Sequence, residues 1–301
     1  MRLRRSELAT PGSSEKMIAR AATSGADLVF LDLEDAVAPA HKAAARLHVV
    51  RGLNDLDWGK TARAVRVNGA HTEWAHEDLI TVVEGAGANI DVIIVPKVKG
   101  PRDVWFFDTL LTQLETRLHL KHRIGLEVLI EEAEALAAVD QIAACSDRLE
   151  AMILGVGDLS ASLGVRVGNL SQPGGGGYPG DIWHYARCRM ICAARANGLD
   201  AIDGPYANFH NPDGYRREAN WGSTLGCVGK WAIHPSQVEL ANDVFAPTPD
   251  EISLARGMVE AYRAAESGGE GSQSFGGVLI DAATARIFEA VLERARLTGR
   301  A

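Results

Sequence analysis

The segment Ile124–Asp158, IGLEVLIEEAEALAAVDQIAACSDRLEAMILGVGD, holds one full repeat of the pattern that decides the fold. Two short apolar runs, Ile124–Glu131 and Ala151–Val156, predict β-strands, and the amphipathic stretch Glu132–Ala144 between them predicts a helix. Strands that are apolar along their whole length are typical of a parallel sheet covered on both faces. The segment therefore predicts a strand–helix–strand unit with parallel strands.

The same alternation runs through most of the chain. The further candidate strands are Glu7–Ala9, Asp27–Leu33, Ala64–Asn68, Val92–Pro96, Ala201–Asp203 and Cys227–Ala232, and the further candidate helices include Glu15–Thr23, Lys42–Leu53, Arg102–Thr116, Ile182–Asn197 and Gly214–Thr224. Eight such units over about 245 residues match the usual size of a (β/α)8 barrel. A doubly wound sheet is the alternative, but its usual first turn, GxGxxG, is replaced here by TPGSS (Thr10–Ser14). We therefore predict an α/β protein built on a (β/α)8 TIM barrel.

The pattern changes after Phe245. A break at Ala246–Pro249 precedes a helix predicted over Pro249–Glu266, a Gly/Ser-rich hinge at Ser267–Ser274, a β-like run at Gly277–Ile280 and a final helix over Ala282–Arg296. This tail is too short for an independent domain, so it must pack on the barrel or on a neighbouring subunit. We therefore predict a catalytic barrel domain over residues 1–245 and a C-terminal extension over residues 246–301. A four-glycine run inside the barrel sequence, Gly174–Gly177, predicts a flexible linker.

Composition excludes several classes of partner. The 301 residues are 47% apolar and 23% charged, and their formal net charge of −8 argues against nucleic-acid binding. No run of about 18 apolar residues predicts a membrane span, and no apolar segment follows the basic N-terminus as in a secretory signal. The four cysteines form no CxxC motif and are expected to occupy small apolar positions in a reduced protein. We therefore expect a cytoplasmic protein.

Polar residues stand at the ends of nearly every candidate strand, which is where a barrel builds its active site. Glu34 and Asp35 follow the second strand, Glu131 ends the fifth, and Asp158 follows the sixth. Carboxylates gathered at one rim repel each other unless a cation shares the space, and Mg²⁺ prefers such oxygen ligands. We predict Glu131 and Asp158 as metal ligands, with Glu34 and Asp35 close enough to hold water bound to the ion. Side chains alternate between the two faces of a strand, and this alternation favours Glu131 over Glu132 as the inward-facing metal ligand.

Simpler interpretations remain open for individual residues. Asp158 is also suited to an N-cap of the helix that follows it. Arg66, at the end of the third strand, is the kind of residue that usually pairs with a carboxylate. Lys97, after the fourth strand, is the one candidate for a Schiff base, but the carboxylates around it favour a structural ion pair. The convergence of these groups, rather than any single one, predicts chemistry at this rim.

Nine blocks, in order along almost the whole chain, carry a family resemblance. They are Ser6–Lys16 (SELATPGSSEK), Leu31–Val37 (LDLEDAV), Val65–Gly69 (VRVNG), Val95–Val98 (VPKV), Leu129–Ala133 (LIEEA), Gly157–Gly164 (GDLSASLG), Asp203–Pro205 (DGP), Gly229–Gln237 (GKWAIHPSQ) and Gly277–Asp281 (GVLID). Together they resemble the HpcH/HpaI aldolase–citrate lyase β superfamily. The resemblance is strongest to its L-malyl-CoA/β-methylmalyl-CoA lyase branch, a group of CitE-like proteins.

The resemblance implies a Mg²⁺-dependent carbon–carbon lyase of the oxo-acid class, with Mn²⁺ able to replace Mg²⁺. Such an enzyme reversibly joins acetyl-CoA or propionyl-CoA to a 2-oxo acid such as glyoxylate, giving malyl-CoA or β-methylmalyl-CoA. The blocks support Glu131 and Asp158 as metal ligands and imply that Arg66 stabilises the enolate. The residues implied on the CoA and substrate side are Lys16, Gly157, Ile233, His234 and Pro235.

The final block, GVLID, implies that Asp281 is the catalytic acid and base. In this family the C-terminal tail closes as a lid over the site of a neighbouring subunit, so the resemblance also implies a homotrimer or hexamer. The hinge at Ser267–Ser274 suits such a lid. Without the resemblance, Asp281 is an ordinary N-cap candidate for the last helix.

Three other activities remain open within this superfamily. The first is a malyl-CoA thioesterase, which would hydrolyse the thioester instead of cleaving a carbon–carbon bond. The second is a citrate lyase β-type subunit or a citramalyl-CoA lyase. The third is a pyruvate aldolase that uses no CoA, although such chains generally lack the C-terminal aspartate.

Overall fold

The computed structural model describes residues 2–166 and 181–300, and it contains two compact units. One unit comprises residues 2–242, and the other begins at Asp243. The predicted linker Gly174–Gly177 lies outside the described residues.

Eight parallel strands close into a barrel in the first unit. They are β1 (Ser6–Pro11), β2 (Leu28–Asp32), β3 (Ala62–Arg66), β4 (Val92–Val95), β5 (Gly125–Ile130), β6 (Leu149–Leu154), β7 (Asp200–Asp203) and β8 (Gly229–Ala232). Each strand pairs with its neighbour in sequence, and β8 pairs with β1, so no edge strand is left. The predicted (β/α)8 TIM barrel is confirmed.

Helices follow the strands, as the alternating pattern predicts. They are α1 (Glu15–Ala21), α2 (Lys42–Asp55), α3 (Ala75–Ala86), α4 (Pro101–Leu118), α5 (Ala133–Ala137), α6 (Val139–Ala143), α7 (Val156–Ser162), α8 (His184–Ala196), α9 (Pro212–Leu225) and α10 (Val238–Val244). One prediction was wrong in detail, because the single helix expected over Glu132–Ala144 is interrupted at Ala138 and forms α5 and α6.

The middle of the barrel is filled by apolar side chains. The buried cluster comprises Leu28, Phe30, Ala64, Val92, Ile94, Leu129, Ala151, Ile153, Ile202 and Trp231. The rings of Phe30 and Trp231 lie 4.4 Å apart between their centroids. This packed layer makes the barrel interior a core rather than a pore, so polar side chains lie above and below it.

A buried charged group lies at the N-terminal ends of the strands. We call it the floor cluster, and it consists of Arg4, Glu7, Glu127, Glu150 and Asp200. The Nε atom of Arg4 donates to Glu127 at 2.8 Å, and its NH1 donates to Asp200 at 3.3 Å. Burial, reinforced by the charge of Glu127, raises the pKa of Glu7 well above its ordinary value. The floor cluster therefore has a buried cation of its own, and Arg2 and Arg195 form further ion pairs with its outer carboxylates.

The second unit contains two helices and a hairpin. Its elements are α11 (Pro249–Ser267), β9 (Ser272–Phe275), β10 (Val278–Asp281) and α12 (Ala282–Leu297). The two strands are antiparallel and are joined by Gly276 and Gly277, whose φ angles of 57° and 82° suit a tight hairpin turn. The predicted hinge at Ser267–Ser274 was partly wrong, because its last three residues belong to β9.

Candidate active site

Charged side chains converge at the opposite end of the barrel, beyond the C-terminal ends of β2 to β6. We call this group the mouth cluster, and its members are Glu34, Asp35, Arg66, Lys97, Glu131 and Asp158. Every residue that the sequence predicts for the metal site and the substrate arginine in the first unit belongs to this cluster. The backbone places them there because each lies at or just after the last residue of a strand.

Glu131 is the most buried carboxylate of the mouth cluster, at 2% exposure. Its Oε1 accepts a 2.7 Å hydrogen bond from the backbone N–H of Lys97. Burial is the main cause that raises the pKa of Glu131 to about 8, and the negative charges of Asp158 and Glu34 add to the effect. Gly155 makes room for this side chain, because a Cβ at that position would lie 2.4 Å from the Cβ of Glu131.

Asp158 lies in the first turn of α7 with its side chain 41% exposed. Its Oδ1 is 3.6 Å from the Nζ of Lys97. The alternative interpretation of Asp158 as a helix N-cap was wrong, because α7 begins two residues earlier and its N-cap is Gly155. The carboxylate is therefore free of that structural task and remains available at the barrel mouth.

Lys97 is surrounded by carboxylates, as the ion-pair interpretation predicts. Its Nζ lies 2.5 Å from Glu34 Oε1 and 3.0 Å from Asp35 Oδ2. Burial lowers the pKa of this ammonium, but the hydrogen bonds and charges of Glu34 and Asp35 outweigh it and raise the pKa above its ordinary value. A permanently charged lysine is a poor Schiff-base nucleophile, so the geometry favours an electrostatic role.

Arg66 is held firmly at the inner wall of the mouth. Its Nε and NH2 donate to the two carboxylate oxygens of Asp32 at 2.7 and 2.6 Å, and the guanidinium lies within 6 Å of the Phe30 and Trp231 ring centroids. Its third nitrogen, NH1, is 3.1 Å from Glu34 Oε2. The two hydrogen bonds to Asp32 fix the orientation of the guanidinium, so that NH1 faces Glu34.

Asp32 is a positioning residue for which sequence reasoning predicted no role. Besides Arg66, it accepts hydrogen bonds from the backbone N–H groups of Glu34 and Ala36. It therefore fixes both the arginine and the loop that carries the acidic residues after β2. The signal was present in the block LDLED, where Asp32 is the one acidic residue that still belongs to the strand.

The chemistry of the mouth cluster fits a divalent cation. Glu34 Oε2 is buried and makes no hydrogen bond, although Arg66 lies nearby. Nowhere in the described parts of the chain do three or more His, Cys, Asp or Glu side chains form a complete metal site. A cation here would be held by Glu131 and Asp158, with water or substrate oxygens supplying its other ligands, which is an arrangement that Mg²⁺ commonly adopts.

The residues predicted on the CoA and substrate side are distributed around the same end of the barrel. Lys16 is exposed in the first turn of α1, and Gly157 immediately precedes Asp158. The other three, Ile233, His234 and Pro235, follow the end of β8. The backbone N–H of Ile233 donates a 2.8 Å hydrogen bond to Gln237 Oε1, which fixes the start of the loop after β8.

His234 also has an aromatic neighbour that sequence reasoning missed. Its ring stacks on that of Phe209, with centroids 4.9 Å apart and planes inclined by 15°. Both rings are solvent-exposed, and Phe209 keeps 40% of its surface accessible. No sequence signal links them, because they come from different loops, after β7 and β8.

Asp281 belongs to the second unit and caps α12. Its Oδ1 accepts hydrogen bonds from the backbone N–H of Thr284 at 2.8 Å and from the Thr284 hydroxyl at 2.9 Å. These bonds lower the pKa of Asp281 below its ordinary value. The N-cap interpretation is confirmed, and a catalytic role for the same carboxylate stays a prediction.

Comparison with known proteins extends the geometric evidence. Residues 5–235 match the family described as HpcH/HpaI aldolase/citrate lyase, which covers more than half of the chain. The chain belongs to this family. The predicted family and enzyme class are thereby confirmed.

Relatives within the family have more than one activity. The chain is 39% identical to an L-malyl-CoA/β-methylmalyl-CoA lyase from Cereibacter sphaeroides, over 97% of this chain and 95% of the relative. It is also 36% identical to a (3S)-malyl-CoA thioesterase from the same species, over 92% and 89% of the two chains. Family membership therefore indicates chemistry at a CoA thioester without deciding between these two reactions.

A solved structure in the family supplies a ligand-bound comparison. The protein CitE from Mycobacterium tuberculosis, in complex with magnesium, acetoacetate and coenzyme A, has a TM-score of 0.76 and 28% sequence identity. The match covers 97% of both chains. Within residues 2–166 and 181–300 of the present chain, no helix is long and apolar enough to cross a membrane.

Proposed function

We propose that this protein is a Mg²⁺-dependent lyase that reversibly cleaves a 3-hydroxyacyl-CoA, such as malyl-CoA or β-methylmalyl-CoA. The products are acetyl-CoA or propionyl-CoA and glyoxylate. The observation that carries the proposal is the mouth cluster, in which Glu131 and Asp158 stand beside an arginine oriented by Asp32. The similarity to a malyl-CoA/β-methylmalyl-CoA lyase along almost the whole chain supports this substrate class.

Glu131 and Asp158 are the residues that would hold the magnesium ion, with Glu34 and Asp35 holding water bound to it. When bound, the ion supplies a Lewis acid for the oxygens of the 2-oxo acid. Burial of Glu131 supports this assignment, since a carboxylate with a raised pKa and acidic neighbours gains most from a nearby cation.

Arg66 is the proposed partner of the thioester oxygen. When a proton leaves the adjacent carbon, its electron pair moves onto that oxygen, and a fixed guanidinium stabilises the charge that develops there. The resulting carbon nucleophile attacks the aldehyde carbon of glyoxylate and forms the new carbon–carbon bond. The π electron pair of the aldehyde moves onto its oxygen, which takes up a proton from solvent and becomes the 3-hydroxyl group. Cleavage follows the reverse order, and neither direction requires a Schiff base.

Asp281 is the proposed group that accepts this proton in condensation and returns it in cleavage. We propose that residues 246–301 act as a lid that brings Asp281 to the site of a neighbouring subunit in a homotrimer or hexamer. Lys16, Gly157 and residues 233–235 are the proposed contacts of the CoA ester. We further propose a cytoplasmic location.

A thioesterase is the second candidate, and the similarity to the (3S)-malyl-CoA thioesterase favours it specifically. Incubation of malyl-CoA with the protein separates the two activities. A lyase releases acetyl-CoA and glyoxylate, and we expect both products in equal amounts, with the reaction stopped by EDTA. Release of free malate and CoA without glyoxylate would instead establish hydrolysis.

The role of Asp281 can be tested without disturbing the helix that it caps. Asparagine is also a good N-cap, so Asp281→Asn keeps the hydrogen bonds to Thr284 and removes only the base. We expect kcat to fall by about 10²- to 10⁴-fold, with an unchanged melting temperature and unchanged binding of the CoA ester. Thr284→Val, which removes one hydrogen bond to the same oxygen, is the matched control and should retain most of the activity. Near-normal turnover of Asp281→Asn would show that another group moves the proton.

A further inference from the structure

Lys97 has an unusual backbone conformation for its position. Its φ angle of 51° lies in the left-handed region, which glycine adopts far more easily than lysine. Among the described residues, the other non-glycine case is His119, which forms the C-cap of α4 and has an ordinary reason for that conformation. Lys97 follows a strand instead, so the conformation points to a task for this residue in the mouth cluster.

The left-handed conformation lets one residue contact the cluster in two ways. The backbone N–H of Lys97 is directed at Glu131, and its side chain extends to the acidic loop after β2. The ammonium there is within hydrogen-bonding distance of Glu34 and Asp35 and is 3.6 Å from Asp158 Oδ1. Four carboxylates from three strand ends are thus connected through Lys97.

The ammonium and a magnesium ion would share the same carboxylates. Two cations beside Asp158 repel each other, and the repulsion is strong in a partly buried site. Lysine has a flexible stem and can withdraw, whereas Arg66 is fixed by Asp32 and by two aromatic rings. Of the two cations in the mouth cluster, Lys97 is therefore the one that can move away when a metal ion binds.

We propose that Lys97 is a positioning residue that serves as a displaceable counter-ion at the metal site. Its ammonium neutralises Glu34, Asp35 and Asp158 in the metal-free protein, moves away from Asp158 when the ion enters, and thereby lowers the affinity for the metal. The inference rests on the proposed function in one respect, namely that Glu131 and Asp158 are the metal ligands.

The test measures metal affinity directly, without substrate or turnover. Binding of Mn²⁺ to the full-length protein can be followed by electron paramagnetic resonance, and binding of Mg²⁺ by competition. Lys97→Met removes the charge and keeps the side-chain volume, and we expect it to bind the metal at least about tenfold more tightly than the wild type. Lys97→Arg keeps the charge and should not tighten binding.

Two further variants make the result interpretable. Lys97→Gly removes the ammonium, relieves the left-handed conformation and keeps the N–H that contacts Glu131, so it should tighten binding as Lys97→Met does. Lys99→Met is the matched control, since Lys99 is exposed and pairs with Glu134 instead of the mouth cluster. It should leave metal affinity unchanged.

The outcomes separate this inference from the proposed function. Equal or weaker metal binding by both Lys97→Met and Lys97→Gly would overturn the counter-ion role. If Asp158→Asn abolishes metal binding at the same time, the metal site itself stands and only the role of Lys97 is lost. Metal binding that survives Asp158→Asn would refute the assigned site, and the inference with it.

Discussion

The two ends of the barrel use the same residue types in opposite ways. At the floor cluster, Arg4 is buried together with Glu7, Glu127 and Asp200, and the side chain of Arg4 is only 2% exposed. At the mouth cluster, Asp35 and Asp158 keep 57% and 41% of their side chains exposed while Glu131 is buried behind them. The comparison shows that a cluster of carboxylates at one end of the barrel does not by itself identify an active site. What distinguishes the mouth is the combination of a buried carboxylate with acidic neighbours that remain open to an incoming cation.

The floor cluster has four carboxylates and one arginine, and two of these carboxylates, Glu7 and Glu127, are completely buried. Glu7 Oε1 and Glu127 Oε2 are buried without a hydrogen-bond partner, and burial raises the pKa of both carboxyls. A buried acid in this situation is neutralised by retaining a proton. The mouth cluster has in addition a displaceable cation, Lys97, which suits a site that exchanges ligands.

The largest expected effect is a loss of activity when a carboxylate of the mouth cluster is replaced. We expect Asp158→Asn to lower kcat/KM for malyl-CoA cleavage by about 10³-fold or more, because it removes a proposed metal ligand. The melting temperature of the metal-free protein should change little, since this side chain is partly exposed. Glu7→Gln is the matched change at the floor and should leave kcat/KM within about twofold of the wild type. Comparable losses of activity in the two variants would contradict the division between the two ends.

The fold could be predicted from the sequence to a large extent, because a parallel barrel leaves a strong local signal. Continuously apolar strands such as Val92–Val95 and regularly spaced helices follow from burial on both faces, and no long-range information is needed. The interruption at Ala138 and the strand Ser272–Phe275 were missed. Both depend on tertiary packing and turn geometry rather than on hydrophobic periodicity.

The candidate site could be predicted only as a set of residues. Their positions at strand ends brought Glu131, Asp158 and Arg66 to one rim, but no sequence signal says which charges pair. Lys97 and Asp35 are 62 residues apart in sequence, and their contact depends on the loop that Asp32 orders. The floor cluster did leave a signal, since Glu127 is a charged residue inside an otherwise apolar strand.

The second expected effect concerns stability at the floor. Arg4→Met removes the cation paired with the buried Glu127 and one of the two arginines paired with Asp200, so we expect a loss of about 3–5 kcal/mol in the free energy of unfolding. Urea denaturation would measure it, and the specific activity of the folded fraction should stay normal. Asp35→Asn, at the exposed edge of the mouth, is the opposite case and should cost less than about 1 kcal/mol. A stable Arg4→Met variant would show that the floor carboxylates do not depend on this arginine.

The smallest expected effect is a change in how stability depends on pH. The pKa of Glu7 is higher in the folded chain than in the unfolded chain, so between these two values the folded state binds more protons. Stability from this group is therefore present at low pH and is lost as pH rises above the ordinary value of a glutamate. Glu7→Gln cannot ionise, and it should gain about 1–2 kcal/mol over the wild type at pH 8 while the two proteins differ little at pH 5. Denaturation of both proteins at both pH values measures this effect, because the two sequences differ at this residue alone. An advantage of Glu7→Gln that is equal at the two pH values would mean that Glu7 does not change its charge in this range, and the floor cluster would then have to balance its charges without a retained proton.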